Sequence, residues 1–188
     1  MIKNNMLYYL LIFLVCLIVA NITSAIYASV MIFSGVGLGI FVIFIGLAVG
    51  RSAYAFTNLF SAENNELTIS EDNYTTRLSV SAFISAFLSI YGVILGDVLT
   101  IVAYYDTETD QFVDYVSTGF FEIFIYPFIY FFNSIDLAWM IELLGAVFKG
   151  YFTSLSSDPA FGIMSILFLG IAVYFGYNSA WGTRYSWF

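Results

Sequence analysis

Residues 79–105 read SVSAFISAFLSIYGVILGDVLTIVAYY. An apolar run of this length crosses a bilayer as one helix, which takes about 20 residues at about 1.5 Å rise each. Ser81, Ser85, Ser89, Gly92 and Gly96 recur along it. At about 100° per residue these five share one narrow stripe of the helix, a surface that lets a neighbouring helix approach closely. Asp97 stands at the edge of that stripe, inside the apolar run. A charge at mid-bilayer costs about 2.5–3.5 kcal/mol on insertion scales, so its presence marks a candidate site.

The rest of the chain fits the same solvent. Of 188 residues, 61% are hydrophobic and 10% charged, and the mean hydropathy is +0.92. Soluble domains carry about 25% charged residues, enough to coat a water-facing surface; this chain does not have them. The fold class expected is therefore all-α: a polytopic integral membrane protein forming one transmembrane helical domain over residues 1–188.

Residues 6–50 carry no charge. As one helix they would measure about 65 Å, twice the hydrocarbon thickness, so they must fold back as two spans. We place these at about 6–28 and 31–50, with the turn near Ser29 and Ser34 to Gly37 as the alternative. The N-terminal run after Lys3 imitates a signal peptide and reads as a first span or uncleaved anchor. Ala20, Ser24 and Ala28 form a small-residue stripe on the first helix. Gly35 with Gly39, and Gly46 with Gly50, form GxxxG pairs on the second, expected to serve helix packing.

Residues 51–78 hold Glu63, Glu66, Glu71 and Asp72 between two arginines and read as an aqueous loop. A third span is placed at about 79–104. Asp106 to Asp114 follows as an acidic turn without the pattern of a calcium loop. A fourth span at about 115–132 contains Glu122, and Pro127, where a kink is expected. Residues 135–152 include Asp136, Glu142 and Lys149 and read as an amphipathic interfacial or re-entrant helix. A last span at about 160–178 carries a stripe of Ala172, Gly176 and Ala180, preceded by a turn at Asp158 and Pro159. The expected count is five spans, with six as the alternative. In both counts four of the five basic residues fall on the side of the N-terminus, which the positive-inside rule makes the cytoplasmic or matrix side.

The net charge of −8 and the lack of a basic stripe argue against a nucleic-acid partner. Histidine is absent from the whole chain, which removes the commonest general base and the commonest metal ligand. No catalytic constellation, metal site or cofactor site is expected. The single cysteine, Cys16, reads as a small hydrophobe in lipid.

The groups left that bear chemistry are Asp97, Glu122 and Asn21. Asp97 and Glu122 lie on spans joined by a short loop and come to similar depth, about 10 Å below the surface at about 1.5 Å per residue. Together with Asn21 they form a candidate ion or proton site, because two close carboxylates in low dielectric share a proton or a cation. The function expected is nonetheless a non-catalytic, structural or accessory subunit of a larger membrane complex, with other membrane subunits as partners and a homo-oligomer as a further form. The alternative is a small proton- or cation-conducting carrier or channel using Asp97 and Glu122.

Overall fold

The computed structural model describes residues 5–34, 39–62, 71–106, 111–112 and 137–182. They form α1 (Asn5–Ser34), α2 (Ile40–Ala62), α3 (Glu71–Tyr104), two short strands β1 (Tyr105–Asp106) and β2 (Gln111–Phe112), α4 (Leu137–Ser157) and α5 (Pro159–Ala180). The strands pair antiparallel, with Tyr105 opposite Phe112. Among the described residues, four segments are long and apolar enough to cross a membrane: Met6–Ile32, Ile40–Phe60, Tyr74–Ile101 and Pro159–Ala180. The chain is an all-α bundle of membrane-spanning type.

Two boundaries differ from the sequence reading. Helix α1 continues past Ser29 to Ser34, and α2 begins at Ile40, so the reversal falls at the later of the two turns considered. Ser29 is no helix breaker here, because its hydroxyl donates back to the Ala25 carbonyl at 2.8 Å. The expected loop 51–78 is in large part helix: α2 runs on to Ala62 and α3 starts at Glu71. Arg51 is exposed, but Ala53 and Thr57, two positions four apart, are fully buried and keep the helix docked beyond the charge. The span expected at 115–132, with Glu122 and Pro127, lies outside the described residues.

Small residues set the packing. A methyl group at Gly46 would come within 2.8 Å of the Ala172 carbonyl oxygen, and one at Gly50 within 2.5 Å of that of Gly176. Helices α2 and α5 thus meet backbone to backbone. Gly92 faces Ile45 and Ser24, and Ser24 donates to the Gly92 carbonyl at 2.6 Å. Ser85 donates to the Gly176 carbonyl at 2.8 Å. In lipid no hydrophobic effect separates helix from solvent, so close backbone approach and such inter-helix hydrogen bonds carry the association.

The order of these contacts fixes the directions. Tyr8 meets Ser81, Ser24 meets Gly92, and Tyr27 meets Asp97, so α1 and α3 run parallel. Thr57 meets Ser81 while Ile45 meets Gly92, so α2 opposes α3. Gly39 meets Phe168, Gly46 meets Ala172 and Gly50 meets Gly176, so α5 runs with α2. Helices α3 and α5 therefore oppose each other.

Apolar side chains on the outer surface suit lipid. Leu7, Leu10, Leu14, Ile18 and Ile22 are exposed along α1, as are Phe161, Met164 and Leu167 on α5. Helix α4 presents Ile141, Phe148 and Phe152 outward, together with Glu142 and Lys149, and turns Tyr151 inward. It is joined to α5 by a sharp corner at Asp158. There the Asp158 carboxylate accepts from the Phe161 amide at 3.3 Å, and Pro159 opens α5, where its missing N–H is no loss. The corner is so tight that a methyl at Gly162 would lie 2.6 Å from the Leu155 amide nitrogen. Asp158→Ala removes the cap, and the expected cost is about 1 kcal/mol, read as a lowered unfolding midpoint of the detergent-solubilised protein. An unchanged midpoint would show that the proline and the corner hold the helix start unaided.

Candidate functional site

Asp97 is the acidic group that lies within a described membrane-spanning segment away from its ends. The residue before it, Gly96, lies directly under the ring of Tyr27, where a side chain would overlap the ring. That close approach brings the Tyr27 phenol within reach, and it donates to Asp97 Oδ1 at 2.9 Å. Tyr151, from α4, donates to Asp97 Oδ2. Both tyrosines are buried, at 6% exposure each. One carboxyl group thus joins three helices: α1 through Tyr27, α3 through its own backbone, and α4 through Tyr151.

Burial of a lone carboxylate is opposed by desolvation, and donated hydrogen bonds to each oxygen offset that cost. Two phenols are well suited to the task, since each offers one donor on a rigid arm that also packs against apolar neighbours. A carboxylate with a donor on each oxygen is chemically able to do two things. It ties helices together, or it holds and releases a proton or cation if its donors move aside.

Asn21 is placed on another pair. Its side-chain amide donates to the Leu17 carbonyl at 2.7 Å, and its oxygen accepts from the Tyr91 phenol at 3.3 Å. Asn21 and Asp97 therefore each have their own tyrosine partners. Glu122 lies outside the described residues. Among the described residues, no three acidic or cysteine side chains converge on a point that suits a metal ion.

The remaining packing residues singled out in the sequence fall into the helix seams. Ser81, Ser85 and Ser89 are fully buried, and Gly176 comes against Ser85 and Ser89. Gly92 faces α2 and α1, Gly96 faces α1, and Gly46 and Gly50 face α5; Gly39 comes against Phe168, and Gly35 lies outside the described residues.

A second polar cluster was not anticipated. At the opposite end of α1, the Tyr8 hydroxyl is 2.7 Å from Thr57 Oγ1 and 3.3 Å from Ser81 Oγ, which are 3.2 Å from each other. The Arg77 guanidinium lies over the Tyr8 ring, 4.7 Å from its centre, a cation–π arrangement. The signal that points to Tyr27 is its position late in a charge-free run, among the small residues Thr23, Ser24 and Ala28. For Tyr8 and Tyr151 the sequence carries no comparable mark, since which way a ring turns depends on the rotation of its helix.

The fold and site define the class: an α-helical integral membrane protein whose helices are joined by small-residue seams and by tyrosine-centred polar ties. No protein-family model, curated protein or solved structure matches the chain.

Proposed function

We propose that the chain is a non-catalytic, structural or accessory subunit of a larger membrane protein assembly. The observation that supports this reading is the occupancy of Asp97. Its two oxygens are taken up by Tyr27 and Tyr151, which makes the carboxyl group a tie between helices. Other polar side chains between helices also pair within the bundle, as Ser24 with Gly92 and Ser85 with Gly176. A stably tied bundle with an extensive apolar outer surface is a suitable packing element for neighbouring subunits. The exposed Glu142 and Lys149 on otherwise uncharged α4 offer charges for such a neighbour to meet.

A second reading keeps a foothold because an intramembrane carboxylate is a functional hypothesis by default. In it the chain is a small proton or cation carrier or channel, with Asp97 as the binding group. One experiment separates the two. The protein is purified natively in a mild detergent, its companions are identified by mass spectrometry, and the isolated chain is tested for proton and cation flux in liposomes. Stoichiometric membrane partners, with no flux that depends on Asp97, are the expected result. A partner-free protein whose flux disappears in Asp97→Asn would overturn the subunit reading in favour of the carrier.

A further inference from the structure

The seams that join α1, α2, α3 and α5 share a chemistry that the contact of α4 with α1 and α3 lacks; the close approach of α4 to α5 at Gly162 belongs to the corner that links them. Gly46, Gly50, Gly92, Gly96 and Gly176 all lie hard against a neighbouring helix. The two glycines of α4, Gly145 and Gly150, meet nothing within 4 Å. Helix α4 therefore has no close backbone seam at these positions. Its inward edge consists of Leu143, Leu144, Val147 and Tyr151, spaced three to four apart on one face. Apolar contacts of this kind distinguish poorly between protein and lipid, because acyl chains are as apolar as leucine. Among the described residues, the directional contact from α4 to the α1–α3 pair is the hydrogen bond that Tyr151 gives to Asp97, and the other hydrogen bonds of α4 side chains run to carbonyls of α4 itself.

We infer that Asp97 is the latch that docks α4 on the bundle, with Tyr151 as its keeper and Tyr27 as the group that holds the carboxyl in position. The four-helix part closes through its own glycine and serine seams. Helix α4 is then a separately docking element, pivoting at the Asp158 corner, and its release uncovers the Asp97–Tyr27 pair. Asp97 is in this sense a positioning residue for α4. The inference concerns the movement of one helix and holds under either functional reading.

The test is disulfide trapping in the full chain, in membranes, with Cys16 replaced by alanine. One cysteine pair, Leu144→Cys with Leu95→Cys, reports α4 against α3, since Leu144 packs on the cluster that contains Leu95. A second pair, Phe83→Cys with Tyr177→Cys, reports α3 against α5, whose rings lie 5.6 Å apart. Tyr151→Phe and Asp97→Ala are each expected to slow the first cross-link about tenfold and to leave the second within about twofold, in keeping with the loss of one buried hydrogen bond. Asp97→Asn keeps an acceptor for Tyr151 and is expected to restore most of the first cross-link. An unchanged first cross-link in Tyr151→Phe overturns the latch. A parallel fall of both cross-links in Asp97→Ala also overturns it, by showing that the carboxyl supports the whole bundle.

Discussion

Gly50→Ala is expected to cost about 3 kcal/mol or more and to leave little folded protein, at the upper end of what overpacking does. The added methyl would stand 2.5 Å from the Gly176 carbonyl oxygen, 2.6 Å from Ser179 Cβ and 3.1 Å from the Ala180 amide nitrogen. Two of these three atoms are backbone, so no side chain can rotate out of the way. Relief requires α2 and α5 to part along the seam, which forfeits the contacts at Gly46 and weakens the Ser85 bond to Gly176 as well. The matched control is Gly170→Ala. Nothing lies within 4 Å of that position, and alanine is the better helix former by about 1 kcal/mol, so no loss of stability is expected. Thermal unfolding followed by circular dichroism in detergent distinguishes the two substitutions. Equal midpoints would mean that the α2–α5 seam is looser than these distances require.

Tyr8→Ala is expected to destabilise by about 3–5 kcal/mol, the range for deleting a buried aromatic ring. Tyr8 is fully buried at the junction of α1, α2 and α3. Its ring also packs edge-on to Tyr9 and at a tilt to Phe56, with centroids 5.3 and 6.0 Å away. The change removes the ring on which Arg77 rests and the hydroxyl that Thr57 and Ser81 meet. Tyr8→Phe separates the two contributions. It keeps the ring and the cation–π contact and loses the hydroxyl, at an expected cost of about 1 kcal/mol. Thr57 and Ser81 are not stranded, because each still donates within its own helix, to Ala53 and Arg77 respectively. A double substitution of Tyr8 and Thr57 by Phe and Val, less damaging than the sum of the two single changes, is the coupling expected of groups in contact. Strict additivity would show that the hydroxyl triad contributes nothing as a unit.

The two largest expected effects thus fall on packing, while the carboxyl that drew attention first joins α1, α3 and α4 through hydrogen bonds. This reflects how differently the two kinds of position are written in the sequence. Asp97 could be picked out because one acid in a long apolar run is conspicuous and costly. The stripes at Ser81 to Gly96 and at Ala172 to Ala180 could be picked out because a period near four residues in small side chains is visible without any partner. Tyr8 could not, because tyrosine is common throughout this chain and its environment depends on which residues of α2 and α3 come alongside. The extension of α2 past Arg51 was equally hidden. A charge ordinarily ends a span, and only the facing surfaces of α1 and α3 explain why Ala53 and Thr57 carry the helix further.

The sequence by itself determined the solvent and the class of fold. Apolar runs long enough to span a bilayer, with too few charges to coat a soluble surface, leave helices as the structure that satisfies every backbone donor and acceptor. It also determined that Asp97 had to be accommodated. Only the tertiary structure decided how. The partners of Asp97 lie 70 residues before it and 54 after it. Helix α1 has to run parallel to α3, and the face of α4 bearing Tyr151 has to turn inward, before the two phenols can reach one carboxyl group. Helix direction and rotation are properties of the packed bundle, set by the seams of glycine and serine, and no single stretch of the chain contains them.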